Sequence, residues 1–192
     1  TILGHGRLGI MQMLFEWISK NKTIPVIDGG KNVYQFIHAD DLADACLLSE
    51  KLSKKNYEVY NIGSEKFGTM FDLLNNLIKN INSKSQIKTI PIKLFETIGN
   101  IMYLLNTTPL GPYHHLMYGR SLWFDISKAK KDLGFSPKYS SDEMILNSYK
   151  HYLNDNNVKK NIDELSHHKS NVKKKLLYFA PTFINLIGKK IK

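Results

Sequence analysis

Apolar and polar positions along the chain alternate between a helical and a strand-like period. Helices are predicted where apolar residues recur every three to four positions, in residues 10–20, from Asp40 or Asp41 to about residue 51, in 69–81 and in 93–105. Strands are predicted in 23–27, 33–37, 58–62 and 87–92, which are rich in β-branched and aromatic residues. Strands separated by helices indicate an α/β architecture.

Side chains that can cap helices mark two of the helix starts. Thr69 with Asp72, and Ser140 with Glu143, have the spacing of a capping box, in which two side chains satisfy free amides of the first turn. The second pair predicts a final helix that runs to about residue 153.

Between these helices the chain carries turn residues. Gly111, Pro112 and Gly119 predict a loop after the helix of residues 93–105. Ser127 is expected to cap a short helix, and Gly134 is expected to end it, because glycine readily adopts the left-handed conformation of a helix C-terminus.

The charge is unevenly distributed. The 192 residues are 42% hydrophobic and carry a net charge of +10. Residues 158–192 contain nine lysines against Asp163 and Glu164, a net +7, which leaves about +3 for the rest of the chain. A basic nucleic-acid-binding fold is therefore not expected, since the charge lies in the tail and not on a periodic face.

Residues 33–45 join an alternating strand to a doubly acidic helix start, in Val-Tyr-Gln-Phe-Ile-His-Ala-Asp-Asp-Leu-Ala-Asp-Ala. This stretch resembles the Phe-Val-His-Val-Asp-Asp-Leu-Ala segment of the extended short-chain dehydrogenase/reductases, the NAD-dependent epimerase/dehydratase family. Further segments are similar to family landmarks in the same order: 1–6 to the Asn-Val-Tyr-Gly-Pro-Gly turn, 28–30 to Gly-Asp-Gly, 60–63 to Tyr-Asn-Val-Gly, and 124–137 to the Asp-x-Ser-Lys-Ala element.

The resemblance covers residues 1–153 and implies the C-terminal part of such an enzyme. The implied fold is the last part of a Rossmann-like parallel sheet with a small mixed α/β substrate-binding lobe. Residues 154–172 are polar and predict a linker, and residues 173–192 form a basic amphipathic tail. A homodimer is a further expectation.

The family binds NAD or NADP through a glycine-rich turn after its first strand and reacts through a Tyr-x-x-x-Lys pair. None of the ten tyrosines here has a lysine four residues later. The resemblance thus implies that the catalytic pair and most of the cofactor site lie upstream of Thr1, that this chain contributes no catalytic or cofactor-binding residue, and that it is inactive alone.

Gly4-His-Gly-Arg-Leu-Gly9 also matches the dinucleotide fingerprint, and Asp28 follows roughly twenty residues later. Only three residues precede Gly4, too few for the first strand of a nucleotide-binding unit. The later landmarks favour a turn on the substrate side, although the cofactor alternative stays open.

The resemblance implies substrate contacts at Thr1, where the family often has an asparagine, and at Tyr118, in a loop that closes over the substrate. Arg7 could present its guanidinium to a phosphate or carboxylate, or could be a solvated surface residue. Tyr34 and His115 stand where UDP-sugar epimerases carry phosphate-binding arginines, although Arg120 could replace one of them. A UDP-sugar is therefore in doubt, and apolar substrates become plausible.

Other candidate chemistry is sparse. The adjacent pairs His114-His115 and His167-His168 diverge on a helix or strand, so no metal site is predicted. Cys46 is expected on the buried side of its helix, and a single cysteine fits a cytoplasmic protein. His38 is expected to be a packed structural histidine.

The tail brackets an apolar stretch with lysine clusters. It is suited to lie in an anionic membrane interface, or to pack on the remainder of the protein or on a subunit partner. The predicted function is an NAD(P)-dependent epimerase, dehydratase or reductase acting on a nucleotide-sugar or related secondary alcohol or ketone. The alternative is a non-catalytic membrane-surface binding module.

Overall fold

The chain combines short strands with helices, and most of the strands lie before residue 91. The computed structural model describes residues 1–4, 11–52, 57–105, 111–154 and 175–191. The helices are α1 (Met11–Ser19), α2 (Ala39–Leu52), α3 (Met70–Asn80), α4 (Ile92–Leu104), α5 (Pro112–Met117), α6 (Ser127–Leu133), α7 (Ser141–Asn154) and α8 (Lys175–Ile187). The strands are β1 (Ile2–Leu3), β2 (Ile24–Ile27), β3 (Ile37–His38), β4 (Ile87–Ile90) and β5 (Lys189–Lys190).

The strands form two small sheets. β1 and β3 are parallel, with Ile2 opposite Ile37 and Leu3 opposite His38. The second sheet has the order β2-β4-β5, in which β2 and β4 are parallel and β5 is antiparallel to β4. This combination of a parallel pair with a mixed sheet confirms the predicted α/β fold class.

The main core lies between α1, β2, α3 and α7. Phe15 and Leu74 are fully buried there, and the ring of Phe15 meets that of Tyr149 edge to face at a centroid distance of 5.4 Å. All four residues of β2 are buried, which explains why this strand is a continuous apolar run and not an alternating one. The core thus fixes α1 and β2, which both border the site described below.

A second core joins α2 to α6, and it corrects the prediction for Cys46. The buried stripe of α2 runs through Leu42, Ala45 and Leu48 at helical spacing. Cys46 follows Ala45, so it is rotated by about 100° around the helix and is exposed. The sequence window is apolar on both sides of Cys46, so it did not reveal which of the two neighbours faces the core.

Two predicted strands differ in the structure. In 33–37, Val33 and Tyr34 make isolated bridges to Thr69 and Leu122, and regular pairing begins only at Ile37. Residues 58–62 form no strand: Tyr60 and Ile62 pack on the second core, and the Val59 carbonyl accepts a hydrogen bond from Lys128 Nζ instead of a strand partner.

Two further local predictions are corrected. The predicted loop between residues 111 and 119 contains α5, an extra helical turn that begins at Pro112, where a missing amide costs nothing. Ser127 does not cap α6 with its side chain. The carboxylate Oδ1 of Asp125 instead accepts from the Ser127 amide at 2.8 Å and from its hydroxyl at 2.5 Å.

The C-terminal segment packs on the chain's own sheet. Ile184 of α8 is buried against Ile27 and Ile90, and β5 then pairs with β4. The tail thus packs on this chain's own sheet through one side of α8, and its expected contact with a membrane surface stays a prediction. Within the described ranges, no helix is long and apolar enough to cross a membrane.

Candidate functional site

A largely apolar cavity of about 380 Å³ opens between α1, the segment 34–36 and the α4–α5 hairpin. Its polar lining consists of Thr1, Tyr34, Tyr113 and Tyr118. The remaining lining residues are apolar or bulky: Met11, Met13, Leu14, Trp17, Pro25, Phe36, Met70, Phe95, Met117 and Leu122. Volume and composition are typical of a small-molecule site, in which a few polar groups orient a ligand inside an apolar wall.

Thr1 and Tyr34 contact each other at the cavity wall. The Thr1 hydroxyl and the Tyr34 hydroxyl are 3.1 Å apart, and either can be the donor. Each hydroxyl keeps further hydrogen-bonding capacity, because a hydroxyl has one donor and two acceptor positions. The pair can therefore present both a donor and an acceptor to an alcohol or carbonyl group in the cavity.

Tyr118 forms another part of the cavity wall. Its hydroxyl donates to the Pro25 carbonyl at 3.3 Å, and its ring lies 5.6 Å from that of Phe95. Burial raises the pKa of Tyr118 to about 12, because the phenolate would lose its hydration. The Asn32 side-chain amide donates to the Tyr118 carbonyl at 3.1 Å and so links Tyr118 to the segment that follows β2. Tyr118 is therefore a neutral, fixed group.

Three of the five predicted substrate residues thus line one cavity, namely Thr1, Tyr34 and Tyr118. Arg7 lies outside the described residues. His115 lies in α5, but the position of its side chain is not among the described features. A role in substrate binding remains a prediction for all five.

The described lining of the cavity contains no charged side chain. Arg120, which the sequence offers as a replacement for a phosphate-binding arginine, is held elsewhere. Its guanidinium pairs with Glu96 at 2.9 Å and donates to the Leu116 carbonyl at 2.5 Å. These contacts stabilise the α4–α5 hairpin and occupy the guanidinium, and Arg120 is not among the described residues that line the cavity.

Gln35 positions the wall that Tyr34 and Phe36 provide. In an extended segment, alternate side chains point to opposite sides, so Tyr34 and Phe36 face the cavity while Gln35 points into the protein. The buried Gln35 amide donates to the Ser64 carbonyl at 2.8 Å and accepts from the Phe124 amide at 2.9 Å. A Cβ at Gly63 would lie 2.5 Å from this amide, which explains the glycine there. The alternation could have revealed Phe36, but not these partners of Gln35.

Gly4 is fixed by packing against His38. Its φ is 105°, and a Cβ there would lie 2.5 Å from His38 Nε2. The Gly4 amide donates to the buried hydroxyl of Ser148 at 3.3 Å. These contacts give Gly4 a structural reason to be glycine, while residues 5–9 of the apparent dinucleotide fingerprint lie outside the described residues.

His38 and Asp41 connect this turn to the element before α7. The ring of His38, which is 4% exposed, stacks on Tyr139 at a centroid distance of 3.8 Å. The buried Asp41 carboxylate accepts from the Lys138 amide at 3.0 Å and the Tyr139 amide at 3.3 Å. The structural role predicted for His38 agrees with this packing. Over the residues described, no three His, Cys, Asp or Glu side chains come together as a metal site.

Comparisons with known proteins agree with this architecture. Residues 4–63 match the model of the NAD dependent epimerase/dehydratase family. A protein of Sinorhizobium fredii, y4nG, is 44% identical over 187 residues, which are 97% of this chain and 46% of that protein. The chain therefore spans about half the length of this curated relative.

Two solved structures share the fold. UDP-glucuronic acid 4-epimerase from Bacillus cereus, in complex with NAD, has a TM-score of 0.57 and 20% identity, covering 80% of this chain and 42% of that one. RMD from Pseudomonas aeruginosa, complexed with NADPH, has a TM-score of 0.54 and 11% identity, covering 79% and 45%. Residues 4–63 thus match the NAD-dependent epimerase/dehydratase family, and these two structures share the fold of the chain.

Proposed function

We propose that this chain supplies the substrate-binding part of an NAD(P)-dependent epimerase, dehydratase or reductase that acts on a secondary alcohol or ketone. The cavity carries this proposal, because Thr1, Tyr34 and Tyr118 all line this one largely apolar space. Residues of those types can orient a hydroxyl or carbonyl group, and the apolar remainder of the wall excludes water from it.

NAD or NADP is the proposed cofactor, and when bound it accepts or donates the hydride. Support comes from the family match and from the NAD and NADPH complexes of the two structural neighbours. Because the family's glycine-rich turn has its place before the segments that this chain resembles, we assign the cofactor mainly to a part of the protein outside this chain. In this proposal, this chain binds and orients the substrate.

The composition of the cavity favours a substrate whose bound part is uncharged and apolar over a UDP-sugar. A diphosphate needs cations or several donors, since the transfer of an unpaired charge into an apolar wall is costly. Tyr34 replaces one of the arginines expected in a UDP-sugar enzyme, and Arg120 is paired with Glu96. The homodimer and the cytoplasmic location remain predictions.

The fluorescence of Trp17 tests this proposal. Trp17 lines the cavity, whereas Trp123, the second tryptophan of the chain, is 57% exposed and is not part of the wall. An apolar cyclic ketone such as cyclohexanone, titrated into the chain, should change the emission of Trp17 with a saturable curve. UDP-glucose at equal concentrations should change it far less.

Two variants identify which tryptophan gives the fluorescence change. Trp17→Phe should abolish the saturable change, and the matched control Trp123→Phe should retain it. A saturable response to UDP-glucose at lower concentrations than to the ketone would contradict the proposed substrate class. A ketone response that persists in Trp17→Phe and disappears in Trp123→Phe would place the ligand outside this cavity.

A further inference from the structure

The end of α8 and the following strand β5 present an apolar and basic surface. Ile184 is buried against the sheet, but Phe183 is 49% exposed and Leu186 is 80% exposed. Lys189 and Lys190 follow directly and are also exposed. The sheet therefore covers only one side of α8 and leaves large apolar groups next to two free ammonium groups.

The charges on this surface repel one another. Lys88 of β4 lies directly opposite Lys190 of β5 in the strand register, and its ammonium donates to the Asn185 carbonyl at 2.7 Å. Like charges at directly opposite strand positions are destabilising. None of Lys88, Lys189 and Lys190 forms an ion pair with another described residue. An anionic partner would remove this repulsion.

The neighbouring sequence supplies almost no negative charge. The chain has no acidic residue after Glu164, and Glu96 is the sole one between residues 83 and 124. Glu96 is already paired with Arg120. α4, whose Phe95 packs against the same cluster as Ile184, adds further exposed apolar groups, with Leu94 at 40% and Leu104 at 81% exposure.

We propose that this basic apolar face, made of Phe183, Leu186, Lys88 and Lys190, with Lys189 beside it on the other side of the edge strand β5, docks the protein onto an anionic lipid surface. The lysines would bind headgroups while Phe183 and Leu186 enter the boundary with the acyl chains. The apolar side chains of the face itself, Phe183 and Leu186, are few for the core of a stable protein interface, which buries about 800 Å² per partner. A lipid surface, in contrast, adds charge attraction over many headgroups to shallow insertion.

Co-sedimentation of the 192-residue chain with vesicles tests this inference. The chain should sediment with phosphatidylcholine vesicles that contain phosphatidylglycerol, and should stay in solution with vesicles of phosphatidylcholine alone. Raising the salt from roughly 0.1 M to roughly 1 M should release it, because the screening length falls from about 10 Å to about 3 Å.

Matched variants locate the face. Lys189→Gln with Lys190→Gln should weaken partitioning about 30-fold, since each lysine near such a surface contributes about 5-fold. Leu186→Ser should also weaken it. The controls remove the same groups elsewhere: Lys79→Gln with Lys150→Gln on α3 and α7, and Leu47→Ser on α2, where Leu47 is 53% exposed. These controls should bind as the parent does, and circular dichroism should show that every variant is folded.

Three outcomes would overturn the inference. Equal sedimentation with both kinds of vesicle would indicate nonspecific apolar adsorption. Equal losses in the Lys79/Lys150 and Lys189/Lys190 variants would indicate attraction by net charge alone. Absence of vesicle binding, together with a dimer in solution that Leu186→Ser dissociates, would assign this face to a second copy of the chain.

Discussion

Single buried side chains determine the shape of the candidate site. Gln35 illustrates how: its amide bridges the Ser64 carbonyl and the Phe124 amide and so holds the extended segment whose neighbours Tyr34 and Phe36 form the cavity wall. The alternation of residues 33–37 predicts that Tyr34 and Phe36 share a face. The sequence does not reveal the two partners of Gln35, because they come from distant parts of the chain.

Replacing Gln35 by leucine should destabilise the protein by about 2–3 kcal/mol, because two buried backbone groups would lose their partners. The free energy of unfolding, measured by urea denaturation, checks this. Gln86→Leu is the control, since Gln86 is exposed, and it should change stability by less than about 0.5 kcal/mol. Equal effects of the two substitutions would contradict the role assigned to Gln35.

Tyr118 gives a prediction in alkaline solution. Its folded-state pKa of about 12 exceeds the ordinary value of 10.0, because burial disfavours the phenolate. The neutral phenol therefore contributes stability that is complete below pH 10 and is lost as the pH rises from 10 towards 12. Tyr118→Phe should lose less stability than the parent over this interval.

Urea denaturation at pH 9, 10 and 11 measures this difference. Burial also raises the pKa of Tyr149 and Tyr152. Both proteins keep these tyrosines, so Tyr118→Phe should still lose some stability as the pH rises. The control Tyr57→Phe, at a side chain that is 84% exposed, should follow the parent. A Tyr118→Phe curve parallel to that of the parent would show that the Tyr118 hydroxyl is not desolvated.

At the scale of elements, local signals predicted helix starts well where the cap is local. The Thr69 hydroxyl accepts from the Asp72 amide at 3.1 Å, and the Glu143 carboxylate accepts from the Ser140 amide at 2.8 Å, as capping-box spacing predicts. The Ser140 contacts lower the pKa of Glu143. The cap at α6 was assigned to the wrong residue, because Asp125 and Ser127 both have side chains that can cap a helix.

Thr69→Ala should destabilise the protein by about 1 kcal/mol, because the Asp72 amide loses its acceptor. Thr97→Ala in the exposed part of α4 is the matched control. It should be neutral or slightly stabilising, since alanine has the higher helix propensity. Thermal denaturation of both variants checks the prediction, and a Thr69→Ala variant as stable as the parent would mean that the cap is dispensable.

β5 and α5 show where local patterns stop being informative. β5 consists of two lysines, so no apolar alternation marks it, and it forms only because α8 brings it beside β4. α5 is a short helix within a segment whose glycines and proline favour a loop. β5 depends on contacts with residues far away in the chain, whereas α5 packs against the preceding helix α4.

For the whole molecule, the order of landmarks in the sequence predicted the α/β fold and the family, while the cavity emerged only in three dimensions. Thr1, Tyr34 and Tyr118 were expected to meet because of the resemblance. Trp17, Phe36 and Met70 were not, since each resembles an ordinary core residue in the sequence. Sequence patterns indicate apolar faces, but they do not show where two packed faces leave a cavity between them.

The proposed division of labour predicts that this chain alone has little affinity for NADH, because the groups that would hold the pyrophosphate lie outside it. Calorimetric titration with NADH should give no saturable heat at micromolar concentrations. Micromolar affinity that is lost in Gly6→Val would instead support the alternative in which residues 4–9 form a dinucleotide-binding turn.

Under our proposal, the described cavity selects an uncharged, apolar substrate because it lacks a cation where Tyr34 stands. Calorimetric titration of the parent and of Tyr34→Arg with UDP-glucose and with cyclohexanone tests this most directly. Tyr34→Arg should bind UDP-glucose at least about 10-fold more tightly than the parent, because its guanidinium can form charge-assisted hydrogen bonds to the phosphates. It should bind the ketone more weakly than the parent does. A parent that binds UDP-glucose more tightly than Tyr34→Arg does would contradict it.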